Sequence, residues 1–141
     1  MLTITVTFEE ESGLDLDDPL GDISISDDQT TLVLKTTYLD SWLAAMIEAF
    51  DQTQSVNHVE VKVAEEPFSL QVDINSLGLL SISYEGRTLT PQPREVVEAA
   101  LKEAARFLLK SLSTLPDSER NTLLEPIMKF TFPGSNGSKI G

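Results

Sequence analysis

Nine carboxylates fall between Glu9 and Asp28 without a single base among them: Glu9, Glu10, Glu11, Asp15, Asp17, Asp18, Asp22, Asp27 and Asp28. Acids at this density have three chemical uses. They can meet a basic protein surface, ligate a hard cation, or supply a general acid and base. A calcium loop of the EF-hand type needs oxygens at fixed steps, with Gly sixth and Glu twelfth. Counted from Asp15, the fifth position is Pro19, the sixth Leu20 and the twelfth Ser26, so that register fails. A weaker, irregular cation site over Asp15–Asp22 stays open at this point. Carboxylate pairs such as Glu9 with Glu11, or Glu65 with Glu66, perform acid–base chemistry only where a pocket raises one pKa. Outside such a pocket they are solvated surface charges, which keep a domain soluble and protect strand edges.

Other reaction chemistry finds little footing. His58 is the only histidine and opens a strand-like segment beside Asn57, so a Ser-His-acid set would need distant partners. No G-x-S-x-G nucleophile elbow, phosphate-binding G-x-x-x-x-G-K-[ST] or dinucleotide G-x-G-x-x-G occurs. The absence of Cys removes thiol catalysis, disulfides and zinc–cysteine sites together. The reading therefore assigns no catalytic residue, no metal and no cofactor.

The 141 residues carry 23 acids against 10 bases, for a net charge of −13. From Met1 to Val61 there are thirteen acids and one base, Lys35, whereas the remaining residues nearly balance. A chain of this sign repels phosphate backbones, which proteins bind through Lys and Arg, so no nucleic acid is expected. No apolar run approaches the ~18 residues of a membrane span, and Met1-Leu2-Thr3-Ile4-Thr5 lacks a basic leader, so no membrane and a cytoplasmic setting are expected. The anionic first half would instead attract a basic protein surface and accelerate encounter with it in a salt-dependent way.

The elements that must hold these groups are visible as periodicities. Leu2, Ile4, Val6 and Phe8 alternate with Thr3, Thr5 and Thr7, the pattern of a half-buried strand, before Glu9 to Gly21 breaks into a loop. Asp22–Ser26 and Thr31–Thr36 flank Asp27-Asp28-Gln29-Thr30 as a hairpin whose turn an Asp side chain supplies. Leu39, Trp42, Leu43, Met46, Ile47 and Phe50 form one helical stripe, with Asp40 or Ser41 as the expected N-cap. That stripe makes Trp42, otherwise a good interface anchor, a core residue.

Strands are expected at 58–63, 68–74 and 79–84, closed by Glu85-Gly86. A long helix runs from Arg94 to about Leu112, entered through Thr90-Pro91-Gln92-Pro93. Its Phe107 and Leu109 lie off the main stripe and imply a second covering surface, from a terminal helix folding back or from a partner subunit. A short helix after Leu115-Pro116-Asp117-Ser118 would end near Pro126, and Phe130–Phe132 would add an edge strand or simply pack down. The Asn136-Gly137-Ser138 glycosylation triplet sits in a Gly/Ser-rich tail and is read as chance.

The sequence thus predicts an α+β domain over 1–132 in βββα-βββα order, with a tail over 133–141. One antiparallel or mixed sheet of about six strands would carry both amphipathic helices on one face. The two halves share an order but no residue-level similarity. The functional expectation is a non-catalytic acidic module that docks a basic partner surface, as inhibitors, immunity proteins and secretion chaperones do. The alternatives are a small metal- or carboxylate-dependent enzyme using Asp15–Asp22, or Glu60 with His58, and a homodimer formed through a sheet edge or the long helix.

Overall fold

The computed structural model describes residues 2–9, 19–63, 66–112 and 124–131. Strands β1 (Thr3–Phe8), β2 (Leu20–Ser26) and β3 (Thr31–Tyr38) run directly into helix α1 (Leu39–Gln52). Strands β4 (His58–Val61), β5 (Leu70–Ile74), β6 (Leu80–Tyr84) and β7 (Arg87–Thr88) follow, then α2 (Arg94–Leu112) and α3 (Leu124–Thr131).

The single six-stranded sheet expected from the sequence is corrected to two antiparallel sheets, β1-β2-β3 and β4-β5-β6-β7. The division has a local cause in β3. Between the pairs Gly21–Thr37 and Ile23–Leu34, β2 has one residue and β3 has two, so β3 bulges. Thr36 takes φ 49° there, a left-handed conformation costly for a β-branched residue. The Asp22 carboxylate holds it by accepting the Thr36 N–H at 2.8 Å. A bulge on an edge strand twists it away from further pairing. The far side of β3 receives side chains of the second sheet instead: Arg87 donates to the Thr31 carbonyl at 3.5 Å.

The two sheets and the helices share one core. Ile4, Ile23, Ile25, Leu32 and Leu34 from the first sheet are buried, as are Val61, Leu70, Leu80, Ile82 and Tyr84 from the second. Helix α1 packs on both sheets and α2 lies against β1. Ile4, Met46, Val72, Val97 and Leu101 meet around a residual apolar void of about 20 Å³. Trp42 is fully buried, edge-on to Tyr84 with ring centroids 6.4 Å apart, so it belongs to the core as its helical spacing predicts. Its indole N–H donates to Thr37 Oγ1 at 2.6 Å, and the Thr37 hydroxyl donates to Glu66 at 2.9 Å. The bulge turns Thr37 inward to make that relay.

Two local expectations are corrected. Neither Asp40 nor Ser41 caps α1; Tyr38 is the N-cap without a side-chain bond. The Leu39 N–H is satisfied by the Pro19 carbonyl, while Asp40 Oδ1 accepts the Ser41 N–H. Pro126 lies in the first turn of α3 rather than ending a helix, since that turn needs no N–H from it. Of the two readings for Phe130, it packs down: it is helical and stands edge-on to Phe50 at 6.2 Å. Helix α3 packs on α1 and α2, yet Phe107 stays half exposed against Phe8. The expected turn at 115–118 and the tail at 133–141 lie outside the described residues.

Candidate functional site

The outward face of the first sheet is built row by row from its register. Antiparallel pairing aligns Thr3, Ser26 and Thr31; then Thr5, Ser24 and Val33; then Thr7 and Asp22 beside Lys35 at the bulge. The last row is Glu9, Leu20 and Tyr38, because the Glu9 N–H bonds the Leu20 carbonyl at 2.9 Å and Leu20 pairs with Tyr38. Side chains on alternate residues share a face, so these rows form one surface of about 10 by 20 Å. Val33 and Tyr38 are about 40% exposed on it, an apolar content that water does not favour.

Of the nine acids singled out in the sequence, four fall within the described residues, and they divide between the two ends of this sheet. Glu9 is exposed and Asp22 half-buried at the Tyr38 end. Asp27 and Asp28 occupy the hairpin tip, about 17 Å from Asp22 along β2. Asp22 and Asp27 have structural partners. Asp27 Oδ1 accepts the Gln29 and Thr30 N–H groups at 2.7 and 2.6 Å, and its Oδ2 accepts the Thr90 N–H at 2.7 Å. These three bonds, that from Thr90 foremost, hold the Asp27 carboxyl well below the usual carboxylate range. Asp27 thus supplies the hairpin turn, as read, and also fastens the first sheet to the chain entering α2. Glu10, Glu11, Asp15, Asp17 and Asp18 lie outside the described residues. The two residues that bracket them do not: Glu9 is bonded to Leu20, and the Pro19 carbonyl to Leu39 at the start of α1. The residues on either side of the acidic run, Glu9 and Pro19, thus lie at the same end of the sheet, beside Tyr38.

The outward face of the second sheet is different in kind. Glu60 Oε2 accepts from Ser69 at 2.8 Å and from Gln71 at 3.3 Å, and Gln71 also donates to Ser69. His58 Nδ1 lies 2.6 Å from Asp73 Oδ1, and Ser83 and Thr88 are bonded at 2.9 Å. Bonding to Ser69 and Gln71 lowers the Glu60 pKa. His58 has Asp73 beside it and, among the described residues, no serine in hydrogen-bond contact.

A solvent-open groove of about 820 Å³ lies between α1, α2 and α3. Phe50 and Phe130 contribute to its wall, with Glu48 and Asp51 from α1 and Lys129 from α3. Arg94 is fixed at one end by the Phe50 carbonyl, Thr53 Oγ1 and the Phe50 ring, 4.7 Å from its centroid. Lys102 pairs with Glu98 at 3.1 Å and lies over Phe130. No group of three His, Cys, Asp or Glu able to hold a metal occurs among the described residues. No helix among them is long and apolar enough to cross a membrane.

Sequence reading missed Tyr38, Leu20 and the helix groove. The signal for Tyr38 is present: Lys35-Thr36-Thr37 places three polar residues in a row where strict alternation has room for one, and that fault marks the bulge which turns Tyr38 outward. Compared with protein-family models, curated proteins and solved structures, the chain matches none.

Proposed function

We propose that this protein is a non-catalytic module that docks a basic surface of a partner protein, in the manner of an inhibitor, immunity protein or chaperone. One observation carries the reading: both ends of the acidic run are tied to the end of an open sheet face where Tyr38 is exposed. Tyrosine combines large contact area with a polar tip and few rotors, and serves interfaces as an anchor ringed by polar groups. Glu9 and the acids that follow it in sequence supply the ring, with Asp22 a lesser contributor because Thr36 engages it. The face alone spans about 200 Å², whereas a stable interface buries about 800 Å² per partner, so residues 10–18 must contribute contact as well as charge. Attraction of this kind weakens as salt screens it.

The test compares retention of proteins from a cell extract by three immobilised chains: wild type, a variant with Glu9, Glu10, Glu11, Asp15, Asp17 and Asp18 changed to amides, and Tyr38→Ala. The reading requires basic proteins, held at low salt, released at high salt and lost in both variants. Retention that is equal on all three chains overturns it.

A further inference from the structure

Four strand edges bound the two sheets, and three of them carry protection against pairing with another chain. The free edge of β4 belongs to His58, Glu60 and Lys62, since Asn57 and Ile74 form a bonded pair that sets the alternation. Charged side chains there discourage an added strand. Strand β7 is two residues long. Strand β3 is bulged at Thr36, and Arg87 engages its Thr31 carbonyl.

Strand β1 is six residues long and unbulged, and among the described residues the element packed against it is helix α2. Its register with β2 runs without interruption from Thr3 to Phe8, and the strand contains no charge and no proline. Because Glu9 bonds Leu20, the bonded pairs with β2 are those of Thr3, Thr5 and Thr7. The N–H and C=O groups of Ile4, Val6 and Phe8 therefore face the free edge, and no hydrogen bond reaches them among the described residues. Phe107 packs on Phe8 at the end of this edge, with ring centroids 6.1 Å apart, and is 48% exposed.

We propose that a second copy of this chain adds to this edge, β1 against β1 in antiparallel sense, with Thr5 facing Thr5 of the second copy. This register brings Ile4 against Val6 and Thr3 against Thr7, so apolar residues meet on the inner face and threonines on the outer. It also puts the Glu9 residues of the two copies at opposite ends of the joint, whereas a parallel arrangement would stack them side by side. The result is a continuous six-stranded sheet with one uninterrupted outward face. The proposal does not depend on the docking reading, and salt separates the two. Two copies of charge −13 repel, so screening strengthens this association while weakening capture of a basic partner.

The experiment uses the chain's lack of cysteine. Thr5→Cys places a single thiol where the register predicts a non-bonded antiparallel pair, close enough for a disulfide between copies. Leu77→Cys, on an exposed turn of the second sheet, is the control. Oxidised glutathione should link the Thr5→Cys chain at least tenfold faster than the control. Sedimentation of the wild type at rising salt should give twice 15.5 kDa, and Thr5→Lys should restore the monomer. A wild type that sediments as a monomer throughout overturns the proposal. So does a dimer that Thr5→Lys leaves intact, or one in which both cysteine variants link at the same rate.

Discussion

The two outward sheet faces differ in how their polar groups are satisfied. On the second sheet, Glu60, Ser69 and Gln71 bond one another, His58 meets Asp73, and Ser83 meets Thr88. On the first, Ser26 and Thr31 are bonded at 3.2 Å, but Thr3, Thr5 and Thr7 have no side-chain partner among the described residues. Both faces are polar by composition. The second is closed on itself, whereas the first leaves hydroxyls, Tyr38 and Val33 toward solvent. A face that has already paired its donors and acceptors gains little from a new partner, because each new bond would replace an existing one. The contrast favours the first sheet for the proposed docking even though a histidine and the densest side-chain network lie on the second.

The largest effect that would break this contrast is loss of the first sheet itself. A Cβ at Gly21 would stand 1.9 Å from the Thr7 carbonyl oxygen, backbone against backbone. Gly21→Ala must therefore part β1 from β2, and a loss of about 3 kcal/mol in urea unfolding is expected, in the range of severe core lesions. The amide signals of the second sheet should move less than those of β1 and β2. Equal disturbance of both sheets would mean that the two faces are not separable units.

Next in size is the relay that turns β3 inward. Thr37→Val keeps the shape but removes the acceptor for the buried Trp42 indole and the donor to Glu66. An unpaired buried donor costs about 1–3 kcal/mol, and that loss in unfolding free energy is expected. The Trp42 emission should shift with it. If stability is unchanged, the bulge is held by Asp22 alone.

Much of this architecture could be read locally. Alternation in Leu2–Phe8 and the six-residue stripe from Leu39 to Phe50 each report a buried face, because burial repeats at the period of the element. The hairpin turn at Asp27 was legible for the same reason: its bonds to Gln29 and Thr30 are two and three residues away. What sequence could not supply is long-range. The Asp27 bond to Thr90 spans 63 residues, and the Arg87 bond to Thr31 spans 56. Division into two sheets depends on such contacts and on a bulge one residue wide. The acids themselves were easy to find, but the difference between Glu9, which is free to meet a partner, and Asp27, which is bound to three backbone donors, exists only in the folded chain.

That difference predicts a pH effect. The folded Asp27 pKa is depressed, so the folded chain binds fewer protons than the unfolded one just below the ordinary Asp value of about 3.9. Its contribution to stability is complete above that pH and disappears as acid protonates the folded carboxyl. Thermal midpoints of wild type and Asp27→Asn should differ most at neutral pH and converge as the pH falls below about 4. A difference that holds constant into acid would mean that the carboxylate charge is irrelevant to the turn.

The smallest expected effect tests the closure of the second face most directly. Bonds from Ser69 and Gln71 lower the Glu60 pKa from its ordinary 4.5, so Ser69→Ala should raise it back toward that value in a carboxyl NMR titration. Stability should hardly change, because Glu60 is exposed and water replaces the lost bond. A Glu60 titration indifferent to Ser69 would show that the network is loose in solution, with donors as available to a partner as those of Thr3, Thr5 and Thr7. The second face would then be as open as the first, and placing the docking surface would rest on Tyr38 and the acidic run alone.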